Sequence, residues 1–342
     1  MIAVYLDKQE FEYDIYSLVK AFYQDQEVSV CYETVPEDAS LTVSVLYDRK
    51  EVTGQIILRM TEGRSEVPLK ETMIDDAPNE NRKELKNRLK KSLYLMLSDH
   101  TGITLPWGNL TGIRPTKIPM ALLEEGWKNS EIAQYMRDTY QVSREKTALA
   151  VMIANRERHL LKDINYQNGY SLYVGIPFCP SICLYCSFSS SPLGVWRKRV
   201  DEYLDALCRE IDATAESFAG RELNTVYIGG GTPTTLEPAQ LDRLLTRLEE
   251  RFDYSHLKEF TVEAGRPDSI TREKLQVLLD HRVSRISINP QTMNQKTLDI
   301  IGRKHTVEQT IDAFRLARSM GFDNINMDLI VGLPGEEQDE VR

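Results

Sequence analysis

Apolar positions follow two different rhythms along this chain. Over roughly the first 165 residues, short β-rich segments at 2–6, 28–32, 41–47 and 55–60 come before helical ones. Leu85, Leu89 and Leu93 recur at the helical spacing and predict a helix over 80–98 with a basic face. The charge run through Arg82, Lys83, Lys86 and Arg88 reads as its solvated surface. Helical spacing returns over 118–125, 130–140 and 143–161, with Ser130 and Ser143 as N-caps. The stretch 106–117 holds two glycines, two prolines and Trp107, which predicts a specified turn rather than a loose linker. Strands first and helices afterwards predict an α+β domain over 1–165.

A polar stretch over 163–169 ends that region, and the rhythm changes. Strand-like runs at 172–176, 225–228, 259–262, 285–288 and 324–330 alternate with helical ones. The helices begin near Trp196, Pro238, Thr271, Asn294 (continued over 306–320) and Glu336. Repeated βα units require a parallel sheet, doubly wound or barrel, so 170–342 is read as an α/β domain. Each strand delivers polar or glycine residues at its C-terminal end. The first is followed by a cysteine loop, the second by Gly229-Gly230-Gly231-Thr232-Pro233, and the third ends in Glu263-Ala264-Gly265. The fourth leads into Asn289-Pro290-Gln291, and the fifth carries Asp328. In βα barrels the active site is built from these strand ends, so the five elements predict one site.

Cys179, Cys183 and Cys186 carry the most specific chemistry. Iron–sulfur clusters are held by cysteine thiolates, and three thiols on one loop can hold three irons of a [4Fe–4S] cubane, leaving the fourth open. A structural zinc site would need a fourth protein ligand, and no His or further Cys lies close by. Cys208 falls within a helical pattern and reads as core. Five cysteines in 342 residues, with no secretory signal pattern, predict a reducing cytoplasm rather than a disulfide framework. The triple glycine allows backbone to approach a ligand closely but lacks the spacing of a dinucleotide or phosphate loop. Glu263 and Asp328 then read as acceptors for ribose hydroxyls, with Gln291 and Arg303 completing a polar wall.

Charge narrows the partners. The net charge of −10 gives no broad attraction to nucleic acid or anionic membrane, and no apolar run is long enough to span a bilayer. An anionic substrate would need a locally basic pocket. Candidates are Arg197-Lys198-Arg199, Arg303-Lys304-His305, and Arg114 with Lys117.

The cysteine trio, Tyr173-Val174-Gly175-Ile176-Pro177-Phe178, the Gly229–Pro233 string, Val262-Glu263-Ala264, Asp328-Leu329-Ile330 and Gly332-Leu333-Pro334 together resemble the radical S-adenosylmethionine (SAM) enzymes. Within that superfamily they resemble the oxygen-independent coproporphyrinogen III oxidases, most closely the HemZ type of coproporphyrinogen dehydrogenase. The 106–117 stretch is similar to the N-terminal domain of that type. The resemblance implies a partial (βα) radical SAM barrel preceded by the α+β domain. It implies that Cys179, Cys183 and Cys186 bind the cluster, and that Tyr173, Gly230 and Glu263 contact the SAM bound at its open iron. Tyr185, Gly231, Thr232, Gln291, Arg303 and Asp328 would contact a second SAM. The implied reaction is reductive cleavage of SAM by an external electron donor. The resulting radical takes hydrogen from propionate side chains of a tetrapyrrole, which lose CO2 and one electron to an acceptor and become vinyl groups, so that coproporphyrinogen III becomes protoporphyrinogen IX in haem biosynthesis. No catalytic acid or base is assigned. Alternatives within the resemblance are a haem-binding chaperone and a radical methyltransferase.

Two departures stand out. The oxidases carry His where this chain has Gly175 and a further Cys where it has Phe188; the HemZ type shares the glycine. A full βα barrel takes about 250 residues, so the 170–342 segment is expected to lack the C-terminal part of the barrel.

Overall fold

The computed structural model describes residues 1–49, 54–76, 81–112 and 114–341. They divide into two compact units, Met1–Leu160 and Leu161–Arg342.

The first unit contains β1 (Ile2–Leu6), α1 (Glu12–Phe22), β2 (Val28–Cys31), β3 (Leu41–Arg49), β4 (Gly54–Glu62) and β5 (Pro68–Asp75). α2 (Arg82–Thr101), α3 (Lys117–Glu124), α4 (Asn129–Tyr140) and α5 (Arg144–Leu161) follow. The sheet order is β2-β1-β3-β4-β5, with β1 parallel to both neighbours and the other pairs antiparallel. Ile15, Leu18, Val19 and Phe22 of α1 share a core with Leu85, Leu89, Leu93 and Leu97 of α2 and the apolar face of the sheet. α1 was not expected. Its apolar residues recur at i, i+3, i+4 and i+7, the pattern that would have revealed it. β5 was also missed, because it is an edge strand carrying Lys70 and Glu71 and burying little. Two cap expectations separate. Ser143 accepts the Lys146 N–H at 3.2 Å, as expected of a cap. Ser130 lies inside α4 instead, because the Glu131 carboxylate holds the Lys128 N–H at 2.8 Å and starts the helix earlier. The expected start of α2 at residue 80 lies outside the described residues; Asn81 caps it through the Lys83 N–H at 2.9 Å.

The second unit is α/β. Its parallel strands are β6 (Tyr170–Ile176), β9 (Leu223–Gly230), β10 (Glu259–Glu263), β11 (Arg285–Ser287) and β12 (Ile325–Asn326), adjacent in chain order. Between them run α7 (Val200–Ser217), α8 (Pro238–Arg251), α9 (Arg272–Asp280), α10 (Gln295–Ile300) and α11 (Val307–Met320). This is the parallel, stepwise sheet of a partial βα barrel. Its core joins Val226, Ile228, Phe260, Val262 and Ile286 of the strands to Leu204, Leu241, Leu245 and Leu275 of the helices. A short parallel pair, β7 (Phe178–Cys179) and β8 (Ser191–Pro192), with α6 (Leu193–Trp196), was not expected.

Two differences from expectation lie late in the chain. The last strand ladder covers two residues rather than 324–330. Beyond it, Gln291 and Leu329 form an isolated bridge, the Gln291 N–H donating to the Asp328 carbonyl at 3.0 Å and the Ile330 N–H to the Gln291 carbonyl at 2.8 Å. The helix expected from Glu336 is a single 3-10 turn at Gln338–Glu340 among the described residues, where the Glu340 carboxylate takes the Glu337 N–H at 2.8 Å.

Candidate active site

The cysteine loop is held at both ends and in its middle. β7 and β8 pair Phe178 with Ser191 and Cys179 with Pro192, so the loop leaves and returns at one place. The Ser191 N–H donates to the Pro177 carbonyl at 2.7 Å. Midway, the Cys186 N–H closes a turn on the Cys183 carbonyl at 3.0 Å. The Leu184 N–H reaches the Ile301 carbonyl at 3.0 Å, and the Ser181 hydroxyl reaches the Gly302 carbonyl at 3.1 Å, fastening the loop to the end of α10.

The loop forms one wall of a cavity at the C-terminal strand ends, and all three thiols line it. β9 contributes Gly230, followed by Gly231 and Thr232; β10 contributes Glu263, and Asn289 and Gln291 follow β11. Tyr185, Arg303 and Asp328 complete the set expected there. Tyr173 stands outside it. Its ring, 60% exposed, stacks on Tyr227 at 5.8 Å and 12° between planes. The Tyr227 phenol in turn donates to the Glu263 carboxylate. Arg197–Arg199 form a 3-10 turn and are not among the cavity's walls. At Gly175 an added Cβ would meet only the Tyr173 ring, at 3.6 Å. Packing therefore does not require glycine at this position, and the Phe188 side chain is exposed.

Burial is the leading influence on the ionisable groups of the site. Burial pushes the Glu263 carboxyl up, the Tyr227 hydrogen bond lowers it, and the Asp328 charge raises it further. Burial likewise pushes the Cys179 thiol up, against the Thr232 hydroxyl 3.6 Å from its sulfur. Arg303 is 5% exposed and its guanidinium is pulled below its ordinary value by burial. It donates to the Asn289 carbonyl at 2.6 Å and the Gly265 carbonyl at 3.0 Å, tying two strand ends together.

Arg266 was not anticipated, although it directly follows the Glu263-Ala264-Gly265 string. It is 3% exposed and is held by Asp268 through two 3.1 Å bonds. One nitrogen reaches the Ser181 hydroxyl at 3.1 Å and the Cys183 sulfur at 3.8 Å. Burial lowers the basicity of its guanidinium, and the Asp268 bond and charge more than restore it, leaving it above its ordinary value.

The donor set suits an iron–sulfur cluster. The three sulfurs share one concavity and two of them face hydrogen-bond donors, Thr232 and Arg266. Among the described residues no three His, Cys, Asp or Glu groups converge as ligands of a single metal ion. A cubane makes a different demand, because its thiolates bind separate irons around a concavity. Hydrogen bonds and charge at such sulfurs set cluster potential. Arg266→Met is therefore expected to lower the midpoint potential of the reconstituted protein by on the order of tens of millivolts. A redox titration followed by paramagnetic resonance reads this, and an unchanged midpoint would refute it.

Residues 173–342 match the radical SAM superfamily model. The oxygen-independent coproporphyrinogen-III oxidase-like protein HemZ of Bacillus subtilis (strain 168) is 37% identical over 330 residues, 95% of this chain and 66% of that protein. The heme chaperone HemW of Lactococcus lactis subsp. lactis (strain IL1403) is 42% identical over 176 residues, 52% of this chain and 45% of that protein. The oxygen-independent coproporphyrinogen III oxidase of Escherichia coli (strain K12) is 37% identical over 164 residues, 48% of this chain and 35% of that protein. The chain thus spans just under two thirds of the first relative's length and less than half of the other two.

Proposed function

Because the chain belongs to the radical SAM superfamily, and is related over nearly its whole length to a coproporphyrinogen oxidase-like protein, we propose that it oxidatively decarboxylates the propionates of coproporphyrinogen III. The observation that carries this reading is a single cavity shared by three thiols, a glycine backbone and two carboxylates. Cys179, Cys183 and Cys186 would hold three irons of a [4Fe–4S] cluster. Bound there, the cluster would supply the one-electron reduction that cleaves the SAM sulfonium to a hydrogen-abstracting radical.

The chain's own residues bind and orient. Glu263, fixed by the Tyr227 phenol, offers an acceptor beside the backbone of Gly230. The cavity is about 170 Å³, below the roughly 300–1,000 Å³ of most cofactor sites. Tyr173, whose exposed ring stacks on Tyr227 beside Glu263, would add to the SAM-binding surface outside that cavity. Tyr185, Gly231, Thr232, Gln291, Arg303 and Asp328 are the residues proposed for a second SAM. Three of them also hold the fold together: the Gln291 N–H donates to the Asp328 carbonyl, and Arg303 bridges the Asn289 and Gly265 carbonyls.

Similarity to the oxidase-like HemZ protein runs through the first unit as well as the second, which supports the oxidase reading, while the oxidase and chaperone relatives each match about half the chain. The test is anaerobic assay of the full-length reconstituted protein with dithionite, SAM and coproporphyrinogen III. Vinyl products with 5′-deoxyadenosine support the proposal. Haem retention without SAM turnover would replace it with a chaperone, and S-adenosylhomocysteine with a methyltransferase.

A further inference from the structure

The first unit holds a cavity that the proposed reaction does not use. Lys83, Lys86 and Lys90 are spaced three and four apart on α2, one helix face, and Lys117 opens α3. All four lysines line a cavity of about 470 Å³ whose apolar wall includes Leu110, Ile118 and Leu122. Two carboxylates face it, Asp14 and Glu125. Asp14 is shared, 3.2 Å from the Lys90 ammonium and 3.6 Å from that of Lys86. Among the described residues no carboxylate pairs with Lys83 or Lys117. Four ammonium groups thus face two carboxylates, in a chain whose net charge is −10.

Like charges three and four residues apart oppose helix formation. Lys90 adds a second cost, for it is 6% exposed and held by Asp14 and, at 2.6 Å, by the Thr111 hydroxyl. Burial pulls its ammonium below the ordinary lysine value. Such a cluster gains when an anion supplies the missing charge. The volume is that of small-molecule sites, which pair an apolar lining with a few placed polar groups. Of the basic groups singled out in the sequence, Lys117 belongs to this cavity and Arg114 is not among its walls.

We propose that this cavity binds a small organic anion bearing two or more acid groups, carboxylate or phosphate, on an apolar frame. Lys90 lies within the fold, and the exposed Lys83 and Lys117 stand where they can meet acid groups at the mouth.

Calorimetric titration of the full-length protein at low salt tests it with two probes on the same apolar frame, benzene tricarboxylate and para-phenylene bisphosphate. Saturable binding of either, at one site per chain, is expected, and which probe binds identifies the acid. The double variant Lys83→Gln/Lys117→Gln should weaken that binding at least about tenfold. Lys91→Gln should not, since the Lys91 ammonium is on the same helix but bonds the Asp138 carbonyl at 2.7 Å. Failure of both probes, wild-type affinity in the double variant, or an equal loss in Lys91→Gln would each overturn the proposal. The measurement requires neither cluster nor SAM, so its outcome is independent of the decarboxylase reading.

Discussion

Cys183→Ala is expected to leave a folded, colourless protein after anaerobic reconstitution. Iron and sulfide should fall to background, and 5′-deoxyadenosine formation by on the order of a thousandfold or more. As the proposed ligands, the three thiols would act as a unit: removing one would leave an iron without its anchor and leave Arg266 only its Ser181 and Asp268 partners. Cys183 sits on a loop fastened by backbone bonds from its neighbours, so the fold does not depend on its side chain. Cys208→Ala is the matched control, because that thiol lies on α7 away from the cavity. Paired metal analysis and paramagnetic resonance decide the matter. A Cys183→Ala protein that retained full sulfide would dissolve the cluster assignment.

The second large effect comes from one methyl group. At Gly231 a Cβ would sit 2.6 Å from the Phe178 carbonyl oxygen and 3.0 Å from that of Ile176. Both are backbone atoms and cannot swing aside. They also accept the bonds that hold this turn, from the Gly231 N–H at 2.7 Å and the Thr232 N–H at 2.8 Å. Gly231→Ala must therefore push the chain carrying Cys179 away from the cavity. Overpacking of this kind costs about 1–3 kcal/mol. It should appear as a lower denaturation midpoint together with poorer cluster incorporation and weaker SAM binding in equilibrium dialysis. Gly194→Ala, with nothing within 4 Å of the new Cβ, should change none of these. Equal behaviour of the two variants would mean that the close approach at Gly231 is not required.

Both predictions rest on features that could be read in the chain itself. Three cysteines in eight positions and a glycine triplet at a strand end are local patterns, and their chemistry depends on spacing along one segment. The parallel alternation was legible for a similar reason: a buried strand must be apolar and a flanking helix must repeat at 3.6 residues. The two-residue pair β7 and β8 was not legible, because segments that short carry no periodicity. α1 escaped although its spacing was helical, masked by the tyrosines among its first residues.

Arg266 and the lysine cavity mark the other side. Arg266 meets Ser181 across 85 positions, and Lys90 meets Asp14 across 76. No local pattern encodes either pairing; each exists because separate elements pack side by side and a buried charge must then find a partner. The residue types able to bind metal and cofactor were thus determined by the sequence alone. Which thiol a guanidinium faces, and which four lysines share one cavity, was decided only by tertiary packing, since a charge's neighbours across a fold depend on where distant segments come to rest.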